Sequence, residues 1–339
     1  MVGTRNIETV SFLFGAGVAI GTLIRGSGVL APGGLLLGIA ACLAIGREHW
    51  PGILSAFLLC GMFCALNDAA ILPSLPWAET AVAALRERID RLPFASPRTA
   101  PLLKALVTGD RGGLDRETVQ VFRNSGASHL LALSGLHIGI LYMLLDRSTW
   151  IFGRTPATRR IRSECTILLA GFYALMTGAS PSIVRAFLFI TINEIQRLLN
   201  RRASSLQVLS LALLVQLVLC PSAIRSTGFQ LSYLAMAGIF LLYPRLRDWY
   251  PEGRRPNPVR WIWRTAALSL SCQVFTGPLA WYRFRTFPPW FLLTNLLAIP
   301  LTTSIMACAL FTLATGWACG LTDRLCNMLL WVLEIISTM

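Results

Sequence analysis

The chain has 339 residues, 55% of them hydrophobic and only 14% charged, a balance that excludes an ordinary soluble domain and points to a polytopic membrane protein. Its net charge of +14 comes from 29 arginines and one lysine, Lys104. That charge suits loops set against anionic lipid and equally a polyanionic substrate, and composition does not separate the two.

Apolar runs predict an all-α fold of about eleven transmembrane or half-membrane helices, with short amphipathic surface helices between some of them. In chain order the runs cover 10–24, 28–45, 53–72, 129–145, 165–178, 183–195, 206–224, 229–243, 266–281, 290–317 and 325–339. Three regions follow: N-terminal transmembrane helices in 1–72, an extracytoplasmic amphipathic segment in 73–125, and a transmembrane domain in 126–339. The first run has Arg5 ahead of it but no small-residue cleavage pattern after it, and reads as a retained span. The last stops within an apolar stretch, which reads as an incomplete C-terminus.

Placing the N-terminus in the cytoplasm puts Arg5, Arg47 and the arginine clusters at 147–162, 197–202 and 245–264 inside, with Arg25, Arg225, Arg283 and Arg285 in short outer loops. The segment 73–125 then lies outside. Residues 78–92 read as an amphipathic helix, interrupted by Pro93, Pro97 and Pro101, and a second helix starts at Asp115 as N-cap and stops at Gly126. The segment has too few apolar positions for a sizeable core of its own, so both helices are expected on the membrane surface. The nine cysteines lie in or beside apolar runs, and Cys60 and Cys64 read as small hydrophobes rather than metal ligands.

Chemistry concentrates in a few places. The run 129–145 holds two of only three histidines, and on one continuous helix His129, Ser134 and His137 share under half of the circumference. Ionisable groups at membrane depth normally face protein or a hydrated path. Ahead of that run stands a turn containing Gly109, Asp110 and Arg111, whose backbone amides suit a phosphate, although the spacing of a nucleotide-binding loop is missing and such a turn is more often only a loop. Proline and glycine break the chain at Gly178-Ala-Ser-Pro-Ser182; a pathway element and a tight turn between two short spans both fit. Just beyond, Arg185 is the only arginine inside an apolar run, and Gln230, Ser232 and Asn295 add polar groups to later ones.

These residues resemble the ComEC family of bacterial DNA-uptake channels. The resemblance rests on Thr108-Gly-Asp-Arg111, Phe122-Arg123, His129-Leu-Leu-Ala-Leu-Ser-Gly-Leu-His137, Pro181-Ser-Ile-Val-Arg-Ala186, Gly228-Phe-Gln-Leu-Ser232 and Asn295-Leu-Leu-Ala-Ile-Pro300, in the family's order. It implies a multi-pass inner-membrane channel that carries single-stranded transforming DNA into the cytoplasm during natural competence. Its implied partners are a DNA receptor, a cytoplasmic ATP-driven translocase, the lipid bilayer and a homo-oligomeric copy. The DNA-path candidates are then His129, Ser134, His137, Pro181, Arg185, Gln230, Ser232 and Asn295, with no catalytic residue, metal or cofactor.

Two departures from the family pattern stand out. The segment 73–125 is too short for the OB-like domain of many members, and no His-x-His-x-Asp-His cluster marks the metallo-β-lactamase-like nuclease domain that often ends them. The chain alone is therefore expected to lack nuclease activity. The rival readings are a small-molecule or lipid transporter, which the broken spans also suit, and an intramembrane serine hydrolase built on Ser134 and His137.

Overall fold

The computed structural model describes residues 5–24, 50–66, 76–148, 156–201, 203–250, 258–285 and 289–338. All α-helical and 3-10 elements, with no strand, appear among them, as an all-α chain requires. The expected run at 28–45, with Arg25, Arg47 and His49, lies outside the described residues. The helices are α1 (Arg5–Ile24), α2 (Trp50–Leu66), α3 (Pro76–Asp90), α4 (Thr99–Thr108), α5 (Arg116–Asn124), α6 (Ser128–Leu131), α7 (Gly135–Ser148) and α8 (Pro156–Met176). They continue as α9 (Pro181–Leu198), α10 (Ser205–Leu219), a 3-10 turn (Pro221–Arg225), α11 (Thr227–Leu241), α12 (Tyr243–Arg247), α13 (Pro258–Phe284), α14 (Phe291–Thr315) and α15 (Cys319–Thr338). The chain divides into two units, Met1–Ser74 with Leu188–Met236, and Leu75–Phe187 with Ala237–Met339.

In the first unit α1 lies along α2 at backbone contact. A Cβ added at Gly17 would sit 1.9 Å from the Leu58 carbonyl oxygen, and one at Gly61 would sit 2.2 Å from that of Phe14. Gly17 and Gly21 form the small-xxx-small spacing that lets two apolar helices approach this closely. The core holds Phe14, Val18, Ala65, Leu217, Ala223 and Phe229, with Cys60, Cys64 and Cys220 packed against it as small apolar groups. Helix α10 begins in a reciprocal cap: the Ser204 hydroxyl accepts the Gln207 amide at 3.2 Å, and the Gln207 side chain accepts the Ser204 amide at 3.1 Å.

The second unit corrects the expectation for 73–125. Three helices form there, not two. Helix α4 runs through Pro101 because that proline sits in its first turn, where an amide has no intrahelical partner to lose. Ile89, Leu102, Leu103, Leu106 and Phe122 from this segment are buried in one core with Ile305, Met306, Leu329 and Leu333 of α14 and α15. The apolar faces assigned to the membrane surface are thus covered by protein, and the core the segment lacks alone is completed from the far end of the chain. Polar contacts fix the same docking: Asp323, buried, accepts the Thr99 hydroxyl at 2.5 Å and the Ser96 amide at 3.2 Å. Arg98 pairs with Glu334 at 3.0 Å, and Arg88 donates to the Leu313 carbonyl at 2.7 Å.

As expected, Asp115 caps α5, accepting the Thr118 amide at 2.9 Å, and Gly126 follows the helix with φ 81°. Among the described residues, Phe291–Thr315 is the helix long and apolar enough to cross a membrane, with shorter apolar helices at Ile7–Leu23, Ser55–Leu66, Ser205–Leu219 and Thr227–Leu241.

Candidate functional site

The expected continuous helix over 129–145 does not form. Helix α6 ends at Leu131, Ala132 is extended, and α7 starts afresh at Gly135. The shared arc of His129, Ser134 and His137 therefore has no helix to lie on. The run of apolar residues on both sides concealed the break, because hydrophobicity carries no information about a three-residue interruption in main-chain bonding.

The Gly109, Asp110 and Arg111 turn supports this interruption. Gly109 ends α4 with φ 76°, and a Cβ there would meet the Leu133 side chain at 2.5 Å, so the turn lies directly against the break. Arg111 donates Nε to the Leu131 carbonyl at 3.0 Å, satisfying an acceptor that α6 leaves open at its end. Asp110 pairs with Arg86 at 3.1 Å and accepts the Gly112 amide at 3.0 Å. The charged groups of this turn are thus engaged within the protein.

Beyond the break, Ser134 caps α7. Its hydroxyl accepts the Leu136 amide at 3.2 Å, and His137 folds back so that Nδ1 accepts the Ser134 amide at 3.2 Å. The arrangement is a variant of the capping box: histidine takes the position usually held by glutamate or glutamine, and the serine hydroxyl bonds the second rather than the third helical amide. Serine and histidine do come within reach, Oγ to Nδ1 being 3.2 Å, contrary to the expectation that a single helix holds them apart. The reason is that Ser134 precedes the helix and does not lie on it. A hydrolase reading still lacks a third group to orient the imidazole, since Nε2 has no hydrogen-bond partner among the described residues. His137 is only 1% exposed. His129 belongs to α6 and is exposed, with Nδ1 3.2 Å from the Gly126 carbonyl.

Arg185 arrives from α9. The chain turns at Gly178 (φ 79°) and Ala179 (φ 48°), and the Ser180 carbonyl then accepts the Ile183 and Val184 amides at 2.9 Å each. Pro181 opens α9, where its fixed φ fits the first helical position. One turn later Arg185, 7% exposed, sets its guanidinium against the start of α7: a Cβ at Gly135 would lie 2.5 Å from Arg185 Nη2 and 3.3 Å from the Ala186 Cβ. A buried arginine and the N-terminus of α7 therefore meet at Gly135, with His137 on the same first turn. Both an arginine and a helix N-terminus favour an anion.

Gln230, in the first unit, donates to the Ile224 carbonyl at 2.8 Å and so closes the 3-10 turn, with Ser232 two residues further along α11. Asn295 lies one turn into α14, its Oδ1 buried and without a partner among the described residues. Beside it Thr294 donates to the Ser125 carbonyl at 2.6 Å, tying α14 to the end of α5. Sequence reasoning passed over Gly135 and Thr294; the Ser-x-x-His spacing was the one legible trace of the cap.

The family model described as "Competence protein" matches residues 106–339, which hold the break, His137 and Arg185. Among curated relatives the chain is similar to ComE operon protein 3 of Bacillus subtilis, 28% identical over 61% of this chain and 25% of the relative. It is similar to Recombination protein 2 of Haemophilus influenzae, 27% identical over 70% and 31%, and to Competence protein ComA of Neisseria gonorrhoeae, 31% identical over 59% and 28%. The chain thus spans about a quarter to a third of the length of these relatives. No solved structure matches it. With more than half of its length matched by the family model, the chain belongs to the ComEC family of competence proteins.

Proposed function

We propose that this chain forms part of a multi-pass inner-membrane conduit through which one strand of transforming DNA passes into the cytoplasm, without cleaving it. The observation that carries the reading is Arg185, a buried cation held against the start of α7 inside the family-matched region. A polyanion crossing a membrane needs positive groups that meet successive phosphates without trapping them. The names of the relatives, which speak of competence and recombination, support the same process.

The membrane setting is supported by more than α14. On α13, Trp261 and Trp281 are both exposed and stand about 30 Å apart at 1.5 Å per residue, close to the thickness of a bilayer core. Arg260 and Arg264 flank the first, Arg283 and Arg285 the second, as interfacial anchors do. Delivery to the outer mouth falls to a DNA receptor and the pull from inside to an ATP-driven translocase.

The test is transformation frequency measured with protein abundance for R185K, R185A and R185E in a full-length, competent background. Lysine keeps much of the uptake, alanine loses most of it, and glutamate abolishes it. Normal uptake in R185E at normal abundance overturns the reading. Lysine failing as badly as alanine, with reduced abundance, assigns Arg185 a structural role instead. Unchanged uptake of DNA with altered solute flux favours the transporter.

A further inference from the structure

The break before α7 holds more than the buried guanidinium of Arg185. His137 Nδ1 accepts the Ser134 backbone N–H at 3.2 Å, which places the proton of a neutral ring on Nε2. Nε2 is buried, lies on the ring edge away from Ser134, and has no hydrogen-bond partner among the described residues. A buried N–H left unbonded is costly, so a site that keeps one either admits an acceptor or loses stability by it. The same helical turn presents Gly135, whose missing side chain admits Arg185 Nη2 to a place 2.5 Å from where a Cβ would stand. The N-terminal end of α7, a helix of 14 residues, adds its partial positive charge. The Nε2–H of His137 and the guanidinium of Arg185 are both donors, and both stand at the first turn of α7.

We propose that these groups form a station for a single phosphodiester: the guanidinium of Arg185 and the Nε2–H of His137 each donate to a non-bridging phosphate oxygen at the start of α7. The inference rests on the conduit reading for its ligand, a nucleic-acid backbone, since a lipid headgroup carries the same phosphodiester. It assigns His137 a binding role and makes Gly135 the residue that lets Arg185 reach it. Nothing in the arrangement reads a base edge, so the station is indifferent to sequence.

The chain has only three histidines, so 15N-histidine labelling gives few ring signals, and His49→Gln and His129→Gln assign them. The full chain in maltoside micelles, which carry no phosphodiester, is titrated with an oligothymidylate, with a methylphosphonate oligomer of equal length, and separately with phosphatidylglycerol. The expected result is a shift of the His137 Nε2 signal with oligothymidylate alone. In parallel, fluorescence anisotropy compares H137Q with H137E. Both residues satisfy the cap, but only glutamine donates, so glutamate is expected to weaken oligothymidylate binding at least about tenfold relative to glutamine.

An unmoved Nε2 signal at saturating oligothymidylate overturns the station, and so does a shift driven by phosphatidylglycerol. The labelled wild-type protein answers even if H137E does not fold. The two readings fail separately. Lost uptake in R185E with an unmoved His137 signal removes the station and leaves the conduit; a moved signal with normal uptake in R185E removes the conduit and leaves the site.

Discussion

Gly135→Ala is the smallest change that separates a positioned Arg185 from one that is merely nearby. The added Cβ would stand 2.5 Å from Nη2, against an ordinary contact of about 3.5 Å, so the guanidinium must withdraw by about 1 Å. The obstacle is the free end of a long side chain, so the cost to folding falls at the lower end for overpacking, about 1 kcal/mol. Ala186 Cβ, at 3.3 Å, must give only slightly. The loss to function is larger: a hydrogen bond to a charged partner contributes about 1.5–3 kcal/mol, roughly a 10- to 150-fold effect if the phosphate contact is lost. The variant is therefore expected at near-normal abundance with transformation reduced at least about tenfold. In an R185A background the same alanine has no guanidinium to displace and adds nothing, so the double-mutant cycle is strongly non-additive. Independent, multiplying losses from the two changes would refute the coupling on which the site is built.

The Asp115 carboxyl, outside the apolar runs, is held below its usual range chiefly by the hydrogen bonds it accepts from Thr118, side chain and then backbone. A depressed folded value means that the cap's stabilisation is complete above the unfolded carboxylate pKa near ~4 and disappears as pH falls through the lower folded value. Amide exchange in α5 should rise in that acid window, and D115A should cost about 1 kcal/mol at neutral pH while D115N keeps most of it. Gly17→Ala drives a Cβ into the Leu58 backbone at 1.9 Å and should lower thermal stability by about 1–3 kcal/mol, whereas Gly320→Ala, with nothing within 4 Å, should stay within about 0.5 kcal/mol. Arg111→Ala strips the Leu131 carbonyl of its donor and should cost about 1–3 kcal/mol, seen as lower abundance with uptake per molecule largely kept.

Local signals in the sequence located what depends on neighbours along the chain. Asp115 and Gly126 bracketed α5, and glycine and proline marked the turn before α9. The apolar runs recovered most described helices to within a few residues, with α8 and α13 beginning earlier because their first turns are rich in arginine, which lowers hydropathy without opposing helix formation. What escaped depends on distance. The face of α4 was readable, but its cover, α14 and α15, lies some two hundred residues on, and periodicity says only that a face is apolar. The Gly17-x-x-x-Gly21 spacing was legible and went unused. The turn at Gly109 was legible, but the partners of its Asp110 and Arg111, namely Arg86 and the Leu131 carbonyl, are fixed only by folding.

The break at 132–134 explains why one stretch of sequence holds so many polar residues. Main-chain groups released inside a folded chain must be bonded again by the protein itself. Arg111 takes the Leu131 carbonyl, the Ser134 hydroxyl takes the Leu136 amide, and His137 Nδ1 takes the Ser134 amide. Each contact restores a bond that a continuous helix would have made internally, so on stability alone the interruption gains nothing over an unbroken α6–α7. What it adds is a helix start within the unit, with a glycine at its first position and a buried arginine against that glycine. The two arginines of the motifs then have different tasks. Arg111 donates to the backbone where α6 ends, while Arg185 sets a positive charge against Gly135. Under the conduit reading, this division is what lets the motif residues serve a passing anion.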